Sequence, residues 1–464
     1  MKRIAKRMLF LLGLMAVLGV GLVIFVGQYL FMADDWASFP GSPHVYRSGN
    51  VSAGVITDRV GTVLLDASDG KRYTNDPVLK RAILHLVGDK QGYIASPVLN
   101  AHADDMVAFS LINGLYSAKN SPNQAKLTIY AEVQKVALEA MQGRKGTIGV
   151  YNYKTGEIYC AVSSPNYDPD AVPDIASDVT GAYEGVYMNR FFQNPYVPGS
   201  IYKIVTTAAA LDLIHDAATR NYYCEGYWML DGNRINCNGT HYNQTLQQAL
   251  ANSCNVAFAQ LAVELGPQTM SAYAAMLGIE NSLVFDGIAT TPGNFDLTDA
   301  TKVDLAWSGI GQYTNMVNPC QFMTVMGAIA NGGTAAKPYL MKEIDGGLLG
   351  GYEAKTEMLP RMFNAATCET LSRYMQNNVV SMYGQWHFPD LYVGAKSGTA
   401  ELSPQETPHA TFAGFIQDAN YPLAFIVIVE NGGSGSATCA PIAGQVLNAC
   451  CKALDAERVA RYNS

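Results

Sequence analysis

The sequence predicts an α+β protein, with helices flanking a mainly antiparallel sheet, behind a single N-terminal membrane helix. Three observations carry that expectation. Leu9–Met32 is apolar and carries no charge. Strand-like segments cluster at 146–164 and again at 392–430, with a helical block between them. A last helical stretch follows the second cluster. Strands, helices, strands and a terminal helix form an α+β pattern, not a run of βαβ units. The 464 residues suit two or three domains. Apolar residues make up 49% and charged residues 15%, so burial can offset the ordering entropy and the chain is not disordered. The net charge of −8, without a basic stripe, argues against nucleic acid as a partner.

Lys2, Arg3, Lys6 and Arg7 mark residues 1–8 as a cytoplasmic tail. Residues 9–32 follow as a transmembrane anchor. As a helix this run spans about 36 Å, more than a bilayer core of about 30 Å. A cleaved signal has a shorter apolar core and a small-residue cleavage site, which Met32-Ala33-Asp34 does not match. The anchor is therefore expected to be retained, with the rest of the chain outside the cytoplasm. Residues 33–50 read as a linker. Residues 51–143 form a small domain that opens on a hairpin with Asp58-Arg59-Val60-Gly61 as its turn. It closes on a short strand at Leu127–Ile129 and a helix at Glu132–Met141. The large domain covers 144–455, and 456–464 is a tail. The large domain opens on two strands around Lys154-Thr155-Gly156. Pro198-Gly199-Ser200 then starts a helix over Ile201 to about Leu213, and Thr245–Leu265 reads as helical. Strands at Tyr392–Lys396, Ala410–Ile416 and Leu423–Glu430 precede a helix over Pro441–Leu454.

Nine cysteines are present, with no C-x-x-C pair, so zinc and thioredoxin-like chemistry lack a motif. An extracytoplasmic location permits disulfides. Cys224 and Cys237 bracket a Gly- and Asn-rich loop and are the candidate bridge. Cys450 and Cys451 read as buried thiols. The seven His residues show no metal spacing, and G-x-S-x-G, H-E-x-x-H and nucleotide-binding Gly patterns are absent.

Ser-x-x-Lys occurs at Ser68–Lys71 and at Ser200–Lys203. Ser68 lies in an Asp/Gly turn. Ser200 begins a helix, where backbone N–H groups favour developing negative charge, and Lys203 follows on the same face. A desolvated lysine there can take the serine proton. An N-capping serine beside a solvated lysine is the plainer alternative. Ser-x-Asn occurs at Ser48, Ser121, Ser164 and Ser253, and only Ser253-Cys254-Asn255 lies in a helical stretch. Lys-[Ser/Thr]-Gly occurs at Lys154 and Lys396. The first reads as a hairpin turn. The second ends a strand and continues to Thr399, where Gly398 would let a substrate backbone come close.

Taken in order, Ser200-x-x-Lys203, Ser253-x-Asn255 and Lys396-Ser397-Gly398 match the motif set of serine β-lactamases and penicillin-binding proteins. The resemblance extends to Gly146–Asp170, Asn189-Arg190, Tyr196–Lys203, Gly309–Gln312, Ala330–Gly333 and Glu430–Gly433. The chain thus resembles a class B penicillin-binding protein, a membrane-anchored peptidoglycan D,D-transpeptidase. The likeness is strong over 145–450 and weak over 50–143, the pedestal. Two departures stand out. The family's leading Arg is missing before Gly54-Val-Ile-Thr-Asp-Arg59, and Leu-Thr-Ile-Asp becomes Leu127-Thr-Ile-Tyr130.

The resemblance implies a mechanism. Ser200 attacks the penultimate D-Ala carbonyl of a stem peptide. Lys203 accepts its proton, and Ser253 relays protons between Lys203, Lys396 and the leaving amine. The backbone N–H groups of Ser200 and Thr399 form the oxyanion hole. Asn255 holds the donor amide, while Ser397, Gly398 and Thr399 line the subsite for the terminal carboxylate. No metal or organic cofactor is implied. β-Lactams would acylate Ser200 as mimics of the donor. Glycan strands would come from a polytopic membrane polymerase, and Gly13, Gly19, Gly21 and Gly27 could let the anchor pack closely on it. Two other classes stay open. One is a hydrolase, either a D,D-carboxypeptidase or a β-lactamase. The other is a non-catalytic β-lactam sensor or scaffold.

Overall fold

The computed structural model describes residues 2–37, 42, 46–52, 54–67, 70–106, 108–110, 114–116, 123–345, 351–401 and 406–463. Ser68 and Ser121 lie outside the described residues, as do 38–41 and 43–45 of the expected linker. Helix α1 (Lys2–Ala37) contains the expected anchor and runs beyond it, so the helix ends later than residue 32. Its stretch Arg3–Met32 is long and apolar enough to cross a membrane, and the other described residues do not bury it.

The pedestal is built on a six-stranded sheet. Its order is Tyr352–Glu353, Met341–Asp345, Gln124–Leu127, Val55–Thr57, Val63–Asp66, Arg72–Tyr73. Val55–Thr57 pairs in parallel with Gln124–Leu127, and the other neighbours are antiparallel. The expected hairpin turn is present. Asp58 Oδ1 accepts from the N–H of Val60 at 3.0 Å and of Thr62 at 2.7 Å. The sheet takes two strands from beyond residue 144. Residues 51–143 therefore do not close a unit alone, because Gln124–Leu127 needs Met341–Asp345 to complete its hydrogen bonds. The last helix of that segment, α2 (Ala131–Met141), also belongs to the neighbouring core. Its Val133, Ala137 and Met141 pack with Ile148, Val150 and Phe425.

That second core surrounds a five-stranded antiparallel sheet of β1 (Gly146–Asn152), β2 (Ile158–Ser164), β3 (Val393–Ala400), β4 (His409–Ile416) and β5 (Leu423–Val429). The spatial order is β2-β1-β5-β4-β3. Every residue of β1, β2 and β5 is buried. Both faces of the sheet are covered, which is why Leu423-Ala-Phe-Ile-Val-Ile-Val429 is continuously apolar instead of alternating. Between β2 and β3 the chain forms α3 (Lys203–Leu213), α4 (Asn255–Leu265) and α5 (Pro319–Ala330). α5 is buried on every side and supports one face of the sheet, with Phe322 and Met326 in the same cluster as Ile426 and Ile428. A helix apolar all round is stable in such a central place or in a membrane. The other face carries α2 and the terminal α6 (Gly435–Asn463). α6 extends through residues 456–463, so the expected tail is helical, and its Glu457 bonds to Arg59.

Lys154-Thr155-Gly156 is the β1–β2 hairpin turn. Asn152 Oδ1 accepts from the N–H of Lys154 at 2.9 Å and of Thr155 at 3.1 Å. Lys154 itself is exposed.

Candidate active site

Two local breaks in helical structure place the candidate catalytic side chains. The expected helix from Ile201 starts earlier, as a 3-10 turn over Gly199–Tyr202, and becomes α-helical at Lys203. Ser200 therefore sits in the first turn, where N–H groups lack helical acceptors. Gly199 has φ +54°, and a Cβ there would lie 2.6 Å from the Thr399 carbonyl oxygen. The turn can approach β3 so closely only with glycine at that position.

The second break overturns the reading of Thr245–Leu265 as one helix. It is two, Leu246–Ala251 and α4, and Ser253 stands between them with φ +53°. A left-handed serine is an uncommon backbone state. The Cys254 N–H bonds to Ala249 O at 2.9 Å, and Cys254 caps α4 by accepting from the Ala257 N–H at 3.5 Å. This turn points Ser253 and the first residue of α4, Asn255, at Lys203.

The three motifs converge on two buried amines. Lys203 Nζ lies 3.0 Å from Ser200 Oγ and 3.2 Å from Ser253 Oγ. It also lies 2.6 Å from Ser253 O and 2.7 Å from Asn255 Oδ1. Lys396 Nζ reaches Ser253 Oγ from the other side at 3.1 Å, and also contacts Ser397 O at 2.7 Å. Both lysines are fully buried. Among the described residues, neither has a carboxylate partner. Burial, with the nearby Lys396 charge, holds Lys203 well below its ordinary value. Burial lowers Lys396 to about 7. Removing an ammonium from water disfavours its charged form unless an anion compensates.

The geometry allows a proton count at Lys203. A neutral amine has two N–H donors and one lone pair. Ser253 O and Asn255 Oδ1 can only accept, and they are the two shortest contacts. Both N–H bonds are thereby committed, and the lone pair is left for a hydroxyl proton. Ser200 Oγ–H is in reach of it.

A cleft of about 530 Å³ opens over these groups. Ser200, Ser253, Asn255, Ser397 and Thr399 line it, together with Tyr383 and Gln312. β3 is the edge strand of its sheet, and its Ala395 and Ser397 carbonyls accept from Asn378 Nδ2 at 3.1 Å and Lys396 Nζ at 2.7 Å. Gly398 serves a different purpose from the one expected. It is buried, and a Cβ there would lie 2.1 Å from Thr411 Oγ1 and 2.9 Å from Pro198 O. Glycine is required by the protein's own packing, not by a ligand. Asn255 is also more constrained than a free substrate hook, because its Nδ2 donates to Asn236 O at 2.9 Å.

Sequence reasoning missed Tyr383. Its hydroxyl lies 3.3 Å from Lys396 Nζ. It is one of 27 tyrosines, and no local pattern distinguishes it. The candidate disulfide is corrected. Cys224 and Cys237 are free thiols. Cys237 Sγ lies 3.8 Å from a third thiol, that of Cys254, and 3.6 Å from His241 Nδ1. These four side chains share one small space beside Asn255, which explains why no simple pair forms.

The chain as a whole has known relatives. The family described as Penicillin binding protein transpeptidase domain matches residues 146–448. The chain is 30% identical over 347 residues to the "Peptidoglycan D,D-transpeptidase PbpA" of Mycolicibacterium smegmatis, covering 68% of this chain and 70% of that protein. Its fold is similar to the crystal structure of PBPA from Mycobacterium tuberculosis, with TM-score 0.73 at 23% identity over 86% of this chain and 99% of that one. A penicillin G acyl-enzyme complex of penicillin-binding protein A from M. tuberculosis superposes with TM-score 0.69 at 22% identity, covering 87% of this chain and all of that one. The family match runs from the first residue of β1 into α6 and encloses every element that shapes the cleft: the chain belongs to the penicillin binding protein transpeptidase domain family.

Proposed function

We propose that the chain cross-links peptidoglycan stem peptides by D,D-transpeptidation through an acyl-enzyme on Ser200. The observation that carries this reading is the Lys203 amine at 3.0 Å from Ser200 Oγ, with both its N–H bonds committed elsewhere. Lys203 takes the Oγ proton as Oγ bonds to the penultimate D-Ala carbonyl carbon. The N–H groups of Ser200 and Thr399 hold the oxyanion, a contribution worth several kcal/mol in such sites. The C–N bond then breaks, and the proton passes through Ser253 Oγ to the leaving D-Ala amine. Charged Lys396, with Ser397 and Thr399, binds the terminal carboxylate. An amine of a neighbouring stem peptide attacks the ester, returns its proton along the same path and frees Ser200. β-Lactams stop at the acyl stage because their leaving amine stays tethered.

The test has two arms. Fluorescent penicillin should label the wild-type chain covalently, and peptide mapping should find the adduct on Ser200. With a D-Ala-D-Ala donor and an amine acceptor, the acyl group should go mainly to the amine. Transfer mainly to water would favour the carboxypeptidase reading. An adduct on another serine would reject the assignment.

The anchor is proposed to place everything after α1 outside the cytoplasm, supported by four basic residues ahead of an uncharged span. A reporter active only in the cytoplasm, fused after Ser464, should be silent. The partner is proposed to be a polytopic glycan polymerase docked on α1 and the pedestal. Replacing Met8–Met32 by a Leu-rich span should preserve penicillin labelling yet weaken co-purification with it. Undiminished co-purification would reject docking through the helix.

A further inference from the structure

Cys224, Cys237, His241 and Cys254 come from four separate places in the chain, and their ligand atoms all lie within 4.8 Å of one another. Two small hairpins bring them together. Tyr222–Cys224 pairs with Tyr242–Gln244, and Tyr227–Leu230 pairs with Asn233–Asn236. Cys237 follows the second hairpin, and His241 leads into the last strand of the first. Cys254 caps α4.

The spacing fits a metal better than thiol packing. In a tetrahedral zinc site with Zn–S of about 2.3 Å and Zn–N of about 2.0–2.1 Å, ligand atoms stand about 3.8 Å apart for S···S and about 3.5–3.6 Å for S···N. Two of the six observed separations match this, 3.8 Å for Cys237 Sγ to Cys254 Sγ and 3.6 Å for Cys237 Sγ to His241 Nδ1, and the others lie within 4.8 Å. A disulfide needs about 2.05 Å and only two of the three thiols. Each sulfur also faces a backbone donor. Gly226 N–H points at Cys224 Sγ at 3.4 Å, Asn255 N–H at Cys237 Sγ at 3.2 Å, and Ala257 N–H at Cys254 Sγ at 3.5 Å. Such donors stabilise thiolates and orient them as ligands. Three soft sulfurs and one imidazole select zinc over calcium or magnesium.

We propose that Cys224, Cys237, His241 and Cys254 form a closed structural site for one zinc ion, and that this ion holds the Ser253–Asn255 turn in its working position. Cys254 is the central residue of Ser253-Cys254-Asn255. The Asn255 N–H binds one ligand sulfur, while its side chain binds Lys203 and Asn236 O. Fixing Cys254 and Cys237 fixes the left-handed Ser253 between them and the two acceptors that orient the Lys203 amine. The positioning role rests on the proposed chemistry at Ser200, whereas the metal site does not.

The experiment uses the full chain in detergent, grown with zinc and purified without chelators. Elemental analysis should find one zinc per chain. Cys224→Ser and His241→Ala should each lower that content at least about fivefold. Cobalt substitution should give thiolate-to-metal charge-transfer absorption. Stripping zinc with a strong chelator should slow fluorescent-penicillin acylation at least about tenfold, and added zinc should restore it. Zinc-free wild-type protein, or a Cys237–Cys254 disulfide in peptide maps, would overturn the site. His241 is partly exposed, so undiminished zinc in a folded His241→Ala variant would overturn its part in the ligand set. Acylation that ignores zinc removal would overturn the positioning role alone. Ser200→Ala should still carry one zinc, which separates failure of this site from failure of the catalytic assignment.

Discussion

Two buried cation clusters stand at opposite ends of the protein's electrostatics. At the active site, Lys203 and Lys396 face one another through Ser253 Oγ, and among the described residues no carboxylate pairs with either. At the join between pedestal and terminal helix, Arg59 bonds to Glu457 at 2.9 Å and to Glu157 at 3.1 Å. Its guanidinium lies against the rings of Tyr130 and Tyr159, 4.9 and 4.6 Å from their centroids. Burial acts on both clusters in the same direction, against charge. In the first no carboxylate among the described residues offsets it, and burial outweighs the opposing pull of Cys254 and Cys237 on Lys203. In the second, burial would raise the Glu457 pKa, but the bonds from Arg59 and Tyr130 outweigh it and hold Glu457 down to about 2. An unpaired buried cation can move protons, whereas a paired one works as a clamp.

The sharpest test of the first cluster is Ser200→Ala. It should abolish covalent penicillin labelling while the melting curve stays near wild type. Label on the mutant would place the nucleophile elsewhere. The clamp should respond in the opposite way. Arg59→Ala leaves the buried Glu157 without its ion-pair partner and Glu457 with only the exposed Arg461, and should cost up to about 3–5 kcal/mol of stability, read by denaturant unfolding in detergent. Labelling of the molecules that remain folded should persist. A variant that lost acylation without losing stability would erase the distinction between the clusters.

Lys396→Ala should slow acylation at least about tenfold, or about 1.4 kcal/mol of barrier. A smaller pH effect follows from the same pair. The competent state has Lys203 neutral and Lys396 charged, so the two amines together hold one proton and titrate as a pair. Acylation should rise with pH as Lys203, held well below its ordinary value by burial, loses its proton. It should fall again as Lys396 loses its own at about 7. A profile flat from pH 6 to 8.5 would contradict a charged Lys396. The smallest effect is expected at the exposed hairpin turn. Lys154→Ala should acylate at the wild-type rate, and a loss equal to that of Lys396→Ala would mean the wrong Lys-x-Gly had been chosen.

The clamp shows how a departure from a family pattern becomes intelligible only in three dimensions. Tyr130 stands where the family signature has Asp, and its hydroxyl bonds to Glu457, 327 residues away. Pairing of the pedestal sheet with Met341–Asp345 was equally hidden, since those residues lie deep in the large domain. The zinc ligands were invisible for a related reason. Sequence patterns for metal sites look for close Cys pairs, and here Cys224, Cys237, His241 and Cys254 are separated by hairpins that fold them together.

What the sequence determined by itself was mostly local or patterned. Helix α1 was legible because Leu9–Met32 is a long uncharged apolar run. The strands β1, β2, β4 and β5 were legible because a sheet covered on both faces demands continuous apolar segments. The candidate catalytic residues were legible because the chemistry proposed for them needs particular types at short spacings, within each motif. Tertiary structure alone decided what lies across the gaps between motifs. It broke the 245–265 helix at Ser253, made Gly398 a packing requirement, brought Tyr383 to Lys396, and extended α6 until Glu457 met Arg59. Each of those outcomes depends on partners distant in the chain. Their energies arise from burial and close contact, which no single stretch of sequence contains.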